Sequence, residues 1–278
     1  MSDDPSSHAY FGAEFCEALM PSRSALLAAS RRHAAGSFTY VTPPVGEAAL
    51  SRLQGHLELL ATEGRPVEVV VNDWGALRLV RATSPLLRPV LGRLLNRMLR
   101  DPRVTPLFDT DVVTAAAAEA SRQNAFTSPG YAAHLRAHGV EVVELDNLYQ
   151  GIDIDFAEVG LRPALHVPFG VVASGPACFF AGIHQPKHEK FMSETPCQLE
   201  CRTYAAQMTD PDASRPQPPL RAQGNTVFYR HDAALMERGL AWAERWGARV
   251  VVRQDPLGEG RATTDVALAR RWLEEDHG

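Results

Sequence analysis

An α/β barrel, strands and helices taken in turn along the chain, is the fold this sequence predicts, and two observations predict it. Short apolar, β-rich runs alternate with amphipathic helical patterns over almost the whole length, as βα units around a largely parallel sheet require. No break in composition divides the 278 residues. Residues 1–278 are therefore expected to form a single TIM-like domain, a size at which barrels are common.

The elements follow in order. AYFGAEFC reads as a strand ending near Cys16, SALLAASRRHAA as a helix closed by Gly36, and SFTYVTPPV as a strand stopped by Pro43 and Pro44. GEAALSRLQGHLELLATEG has helical spacing at Ala49, Leu50, Leu53, Leu57 and Leu60 and ends at Gly64, where a C-cap is expected. VEVVVND is a continuous β-branched run, typical of a strand buried on both faces. WGALRLVR and PLLRPVLGRLLNRMLRD read as helices, the second with Leu91, Leu94, Leu95 and Met98 inward and its arginines solvated. SPGYAAHLRAHG predicts a helix, VEVVELD a strand, and ALHVPFGVVAS a further strand leading to Cys178. A proline-rich surface loop is expected over 206–224, followed by strand TVFYR, helix AALMERGLAWAERWG, strand ARVVVRQDP and a closing helix in ATTDVALARRWLEEDHG. In such a barrel Cys16, Asn72, Asp73, Glu144 and Asp146 fall at the carboxyl ends of strands, where ligands bind.

Composition excludes several classes. Apolar residues make up 45% and charged residues 22%, ordinary globular values. The formal charge of −5 (28 basic, 33 acidic residues) argues against nucleic acid as a partner. The most apolar stretch, ALHVPFGVVASGPACFFAGI, is interrupted by His166, prolines and glycines and does not predict a membrane span. MSDDPSSH is acidic and unlike a secretory signal, so the cytoplasm is the expected compartment.

The chain has four cysteines: Cys16, Cys178, and the pair Cys197 and Cys201 in CQLEC. Free cysteine often behaves as a small buried hydrophobe, and ACFFAG has that look. The i, i+4 pair can also reach one ion from a turn or a helix face. Structural zinc usually shows close pairs at both ends of the site, whereas iron–sulfur clusters tolerate varied spacing. Spacing alone leaves zinc, a cluster and coincidence open. Asn72 and Asp73, directly after an apolar strand, are candidates to hydrogen-bond a substrate, although Asp73 equally suits an N-cap. Trp74 is a candidate stacking surface or plain packing, and Glu14, Asn124 and Glu144 are further polar candidates. Neither G-x-S-x-G nor H-E-x-x-H occurs, which leaves peptidase chemistry without a motif.

YFGAEFC, ALHVPFGVVASGPACFFAG, CQLEC, VEVVVNDWGALRL and the closing TVFYR and GLAWAERWGARVVVRQDP together resemble the collagenase-like peptidase U-32 family, most closely its UbiV type, which serves anaerobic hydroxylation in ubiquinone biosynthesis. The resemblance covers most of the chain, and its cysteine pattern is the specific part. It implies a [4Fe–4S] cluster held by Cys16, Cys178, Cys197 and Cys201, electron transfer as the role of a fully ligated cluster, and a paralogous U-32 subunit as heterodimer partner. It further implies a small aromatic quinone precursor as substrate, with RNA nucleobase hydroxylation or a non-catalytic metal-binding subunit as alternatives. One departure is that only eight polar residues precede the first strand. An irregular barrel lacking its first strand–helix unit, or one completed by a partner, is the expectation there.

Overall fold

The computed structural model describes residues 8–108, 112–190, 192, 196–209 and 218–275. Its strands in chain order are β1 (His8–Gly12), β2 (Phe38–Val41), β3 (Val67–Val71), β4 (Leu87–Leu91), β5 (Val142–Asp146) and β6 (Arg162–Val167). They continue with β7 (Phe169–Ser174), β8 (Ala206–Met208), β9 (Leu220–Gln223), β10 (Thr226–Arg230), β11 (Arg249–Arg253) and β12 (Gly260–Thr263). The helices are α1 (Arg23–Arg32), α2 (Glu47–Thr62), α3 (Trp74–Thr83), α4 (Ala115–Ala120), α5 (Pro129–Ala137), α6 (Phe156–Val159), α7 (Ala233–Trp246) and α8 (Val266–Glu275).

Eight strands close a barrel in the order β1-β12-β11-β6-β5-β4-β3-β2. Every pairing in the ring is parallel except those of β12, which runs antiparallel to both β11 and β1. The ring thus closes within one chain, its eighth place taken by an antiparallel strand near the end of the described residues. The remaining strands form an antiparallel sheet in the order β7-β10-β9-β8.

Alternation along the strands explains the packing. One buried apolar residue from each barrel strand forms an interior layer: Tyr10, Val41, Val70, Val90, Val142, Ala164, Val251 and Ala262. Val69 and Val71 face the other way, into the main core that Leu53, Leu57 and Leu60 of α2 and Leu77 of α3 complete. Burying each such side chain contributes roughly 1.5–3 kcal/mol. Helix starts are fixed locally. Ser22 accepts from the Ala25 amide at 3.2 Å, and Asp232 accepts from that of Leu235 at 2.7 Å. Gly247, with φ 58°, ends α7 in the left-handed region that favours glycine.

Four sequence expectations are corrected. PLLRPVLGRLLNRMLRD is not a helix: Leu87–Leu91 is barrel strand β4, and only Arg93–Leu95 forms a 3₁₀ turn. Nor is Arg93 solvated, since it is 1% exposed. ALHVPFGVVAS is two strands in two different sheets, parted at the cis Val167–Pro168 peptide. The closing helix starts only at Val266, because Gly260–Thr263 before it is β12. The ends of the expected loop 206–224 are strands β8 and β9, and TVFYR (β10) joins their sheet rather than the barrel. The middle of that loop, 210–217, and the acidic start of the chain lie outside the described residues. Among the described residues no helix is long and apolar enough to cross a membrane.

Candidate metal centre and barrel mouth

The four cysteines converge on one pole, and backbone geometry draws them there. Gly12 ends β1 with φ +134°, and a Cβ at that position would stand 2.2 Å from the Val41 carbonyl oxygen, so only glycine lets the chain leave the barrel this way. Four residues on, Cys16 opens a short 3₁₀ turn, its carbonyl accepting from the Leu19 amide at 3.1 Å. Asn225, in the turn between β9 and β10, donates to the carbonyls of Phe15 (2.8 Å) and Gly175 (2.7 Å). It thereby ties the Cys16 loop to the loop that follows β7. Cys178 lies in that loop, and its neighbour Phe179 donates to the Gly224 carbonyl at 3.1 Å. Cys201 sits against the same turn: a Cβ on Gly224 would lie 3.7 Å from its sulfur, and its carbonyl accepts from Gln223 at 3.1 Å.

Amide N–H groups point at two of the sulfurs. Ala181 donates to Cys178 at 3.4 Å and Leu199 to Cys197 at 3.3 Å. Leu199, a non-glycine residue at φ 64°, bends the Cys197–Cys201 segment into this shape. Burial, and then the proximity of the other three thiols, pushes the Cys201 pKa up to about 11. Cys16 is also raised, by burial first, with the amides of Ala18 and Leu19 opposing and Cys197 and Cys178 adding to the rise. Burial raises Cys197, its Leu199 amide opposes this, and Glu200 and Cys178 reinforce it. Cys16, Cys197 and Cys201 thus each lie within electrostatic reach of Cys178, although Cys16 and Cys201 are 185 residues apart in sequence (201 − 16).

The donor set fits a thiolate-ligated iron–sulfur group in kind: four sulfurs, two of them already accepting amide hydrogen bonds of the sort that tune clusters. In distance the fit is incomplete. Among the described residues, no three His, Cys, Asp or Glu side chains stand close enough to hold an ion as they are. Cys197 is the outlying member, exposed on its loop, whereas Cys201 is buried and Cys16 and Cys178 are half-buried.

Beside this pole, the carboxyl ends of the barrel strands carry a buried charge cluster. Arg93 donates to both carboxylate oxygens of Glu14 at 2.8 Å, to Asp146 at 2.8 Å and to the Phe169 carbonyl at 3.2 Å. Asp146 also faces Arg100 at 3.1 Å, and Glu14 faces Arg253 at 3.3 Å. Burial pushes the Glu14 pKa up, but the charge and hydrogen bonds of Arg93, with Arg253, bring it down to about 2. Inside the barrel, Glu144 and the ring of His166 stand 3.2 Å apart but off the line of a hydrogen bond. Burial first, then Arg93, lowers the His166 pKa, and Glu144 opposes them.

The other sequence candidates lie in different settings. Asn72 is buried. It donates to the Thr42 carbonyl at 2.8 Å and accepts from the Leu94 amide at 3.1 Å, so it clamps two strand-end loops. Asp73 caps α3, accepting from Ala76 at 2.6 Å and from Val45 at 3.1 Å. Trp74, the first residue of α3, is exposed on the outer helical layer, edge-on to Tyr131 and His134. Asn124 caps a short turn at Phe126 and donates to Asn96. Arg93, Arg100, Arg253 and His166 were not foreseen as site residues. The available signal was position, since Arg93 and Arg253 each stand at or just past the end of an apolar strand. The chain matches no family model, no curated protein and no solved structure.

Proposed function

We propose that this chain is an iron–sulfur protein of the U-32 type, a TIM-like barrel that holds a [4Fe–4S] cluster with Cys16, Cys178, Cys197 and Cys201. In this reading it serves oxygen-independent hydroxylation of a small aromatic quinone precursor in the cytoplasm, as one subunit of a heterodimer with a paralogous chain. The observation that carries the reading is the convergence of four cysteines, distant in sequence, through the Asn225 and Gly224 turn. When bound, the cluster would supply one-electron redox chemistry. The protein's part is to hold the thiols, direct the amides of Ala181 and Leu199 at the sulfurs of Cys178 and Cys197, and shift the exposed Cys197 loop inward. The neighbouring mouth, with its arginines and the Glu144–His166 pair, offers a polar, largely dry setting for the substrate.

Anaerobic reconstitution with iron and sulfide tests this directly. The expected product is brown, with broad absorption near ~400 nm and about four iron and four sulfide per chain. Each single Cys→Ala variant at the four positions should lose most of its iron. A colourless zinc adduct would favour a non-catalytic metal-binding subunit, and full iron content in Cys16→Ala would end the four-ligand assignment.

A further inference from the structure

Helix α5 carries two histidines one turn apart, and neither takes part in the cysteine pole or in the charge cluster at the barrel mouth. His134 is exposed on the helix, and His138 stands half-buried at its C-cap, four residues on. That spacing puts both on one face. Their ring centroids are 4.2 Å apart, with the planes inclined by 38°. Two imidazoles that share one ion at a right angle stand about 4.5 Å apart, given metal–nitrogen bonds of about 2.0–2.1 Å. The separation of the rings thus already suits a shared ion. Neither ring nitrogen of His134, nor Nε2 of His138, has a hydrogen-bond partner among the described residues.

One of the two rings is oriented in advance. Nδ1 of His138 lies 2.8 Å from the His134 carbonyl oxygen, which can only accept. In the neutral imidazole Nδ1 therefore carries the proton, and Nε2 keeps its lone pair. Metal-ligating histidines are held in this way, by an acceptor that takes the other ring N–H. The same carbonyl accepts the His138 amide at 3.1 Å, so ring and backbone are anchored together. The last carbonyls of a helix favour positive charge. Arg81 already uses part of that preference, donating to the Ala137 carbonyl at 3.3 Å. Its charge opposes a second cation, so an ion here must be held by bonds to nitrogen rather than by attraction alone. Imidazole gives such bonds to copper, nickel and zinc, whereas magnesium and calcium want oxygen.

We infer that His134 and His138 bind one late first-row divalent ion, of the class of Ni²⁺, Cu²⁺ and Zn²⁺, through Nε2 of His138 and a ring nitrogen of His134. No third histidine, cysteine, aspartate or glutamate joins the pair among the described residues, so water completes the coordination and the ion is exchangeable. Such a centre keeps positions open to a donor from a second molecule, as closed structural sites do not. It is independent of the iron–sulfur reading, since it uses no cysteine. Trp74 lies edge-on to His134, with ring centroids 6.1 Å apart, and reports on the site.

Nickel titration of the full chain, followed by tryptophan fluorescence, tests the inference. The difference between the natural chain and Trp74→Phe isolates Trp74 from the other three tryptophans. Nickel at the cysteines does not enter this difference, because it acts on the same tryptophans in both chains. Saturable quenching of Trp74 is expected, reversed by Zn²⁺, which competes without quenching, and not by Mg²⁺. His134→Ala and His138→Ala should each raise the half-saturating nickel concentration about tenfold or more. His188→Ala, in an exposed loop that repeats the spacing with His184, should leave it unchanged. No saturable quenching at millimolar nickel, release by Mg²⁺, or an equal shift in His188→Ala would overturn the inference. So would an unchanged midpoint in both α5 variants, the mark of an adventitious ion only. Because His134 is exposed, its replacement decides the matter even if His138→Ala, at the cap, fails to fold.

Discussion

The two ends of the barrel interior carry similar side chains put to opposite use. At the amino-terminal ends of the strands, Arg249 donates to both oxygens of Glu68 (2.5 and 2.9 Å) and to the Tyr10 hydroxyl at 2.9 Å. Thr39 donates to Glu68 at 2.9 Å and accepts from His8 at 2.7 Å, so the network closes on itself. At the carboxyl ends the charges are more deeply buried yet less completely paired. Arg93 is fully engaged, but Arg253 Nε and Nη2, both Glu144 oxygens, both nitrogens of His166 and both of His231 have no hydrogen bond. Each unsatisfied buried group costs roughly 1–3 kcal/mol. One end is therefore a finished plug and the other bears a standing cost, which is the pattern expected where a ligand or ordered water completes the arrangement.

The sharpest way to break this comparison is to remove the central charge of each end. Arg93→Ala leaves Glu14 and Asp146 buried without their main partner and should cost about 3–5 kcal/mol in urea unfolding. Arg249→Ala, in a network of partly exposed residues, should cost about 1–3 kcal/mol. Equal losses would erase the distinction. Protonation gives a smaller, pH-limited contrast. Burial and then Arg93 depress the His231 pKa to about 3, while burial and then Arg249, opposed by Glu68, depress that of His8 to about 4. A histidine depressed in the folded state binds fewer protons there than when unfolded, so its stabilisation is present above the unfolded pKa of 6.5 and fades as pH falls toward the folded value. Between pH 6.5 and 4.5, above the range where Glu14 contributes, stability should decline. His231→Gln should flatten that decline by at least as much as His8→Gln, in melting curves followed by circular dichroism. The smallest expected effect lies outside both ends: Asp73→Ala, which removes the α3 cap, should cost about 1 kcal/mol in urea unfolding.

Legibility in the sequence followed the same division. Strand β3 and helices α2 and α7 could be read directly, because an unbroken β-branched run and a 3.6-residue period each have one physical solution. Strand β4 could not, since Pro89 inside it and the arginines around it disguise a strand as a helix. Counting units would have exposed the error, for a parallel strand must follow α3 before the chain can pair onward to β5. Missing β4 hid Arg93, and with it the charge cluster. The cysteines were legible as residues, but their gathering depends on Asn225 and Gly224, whose role appears only once β9 and β10 are folded together. A polar residue whose hydrogen bonds are complete, such as Asn72, and one left with unpaired donors, such as Arg253, look alike in sequence; only the folded surroundings distinguish them.

Because β12 seals the ring by pairing Ala262 with His8, the seam joins segments more than 250 residues apart (262 − 8 = 254). Long-range closure of this kind is slow, and during synthesis the free edge of β1 stays open until residue 263 has left the ribosome. Throughout that interval the emerging barrel offers an unpaired template to any neighbouring strand. Safe production of this protein in the cell thus depends on a partly made sheet being shielded until its last stave arrives.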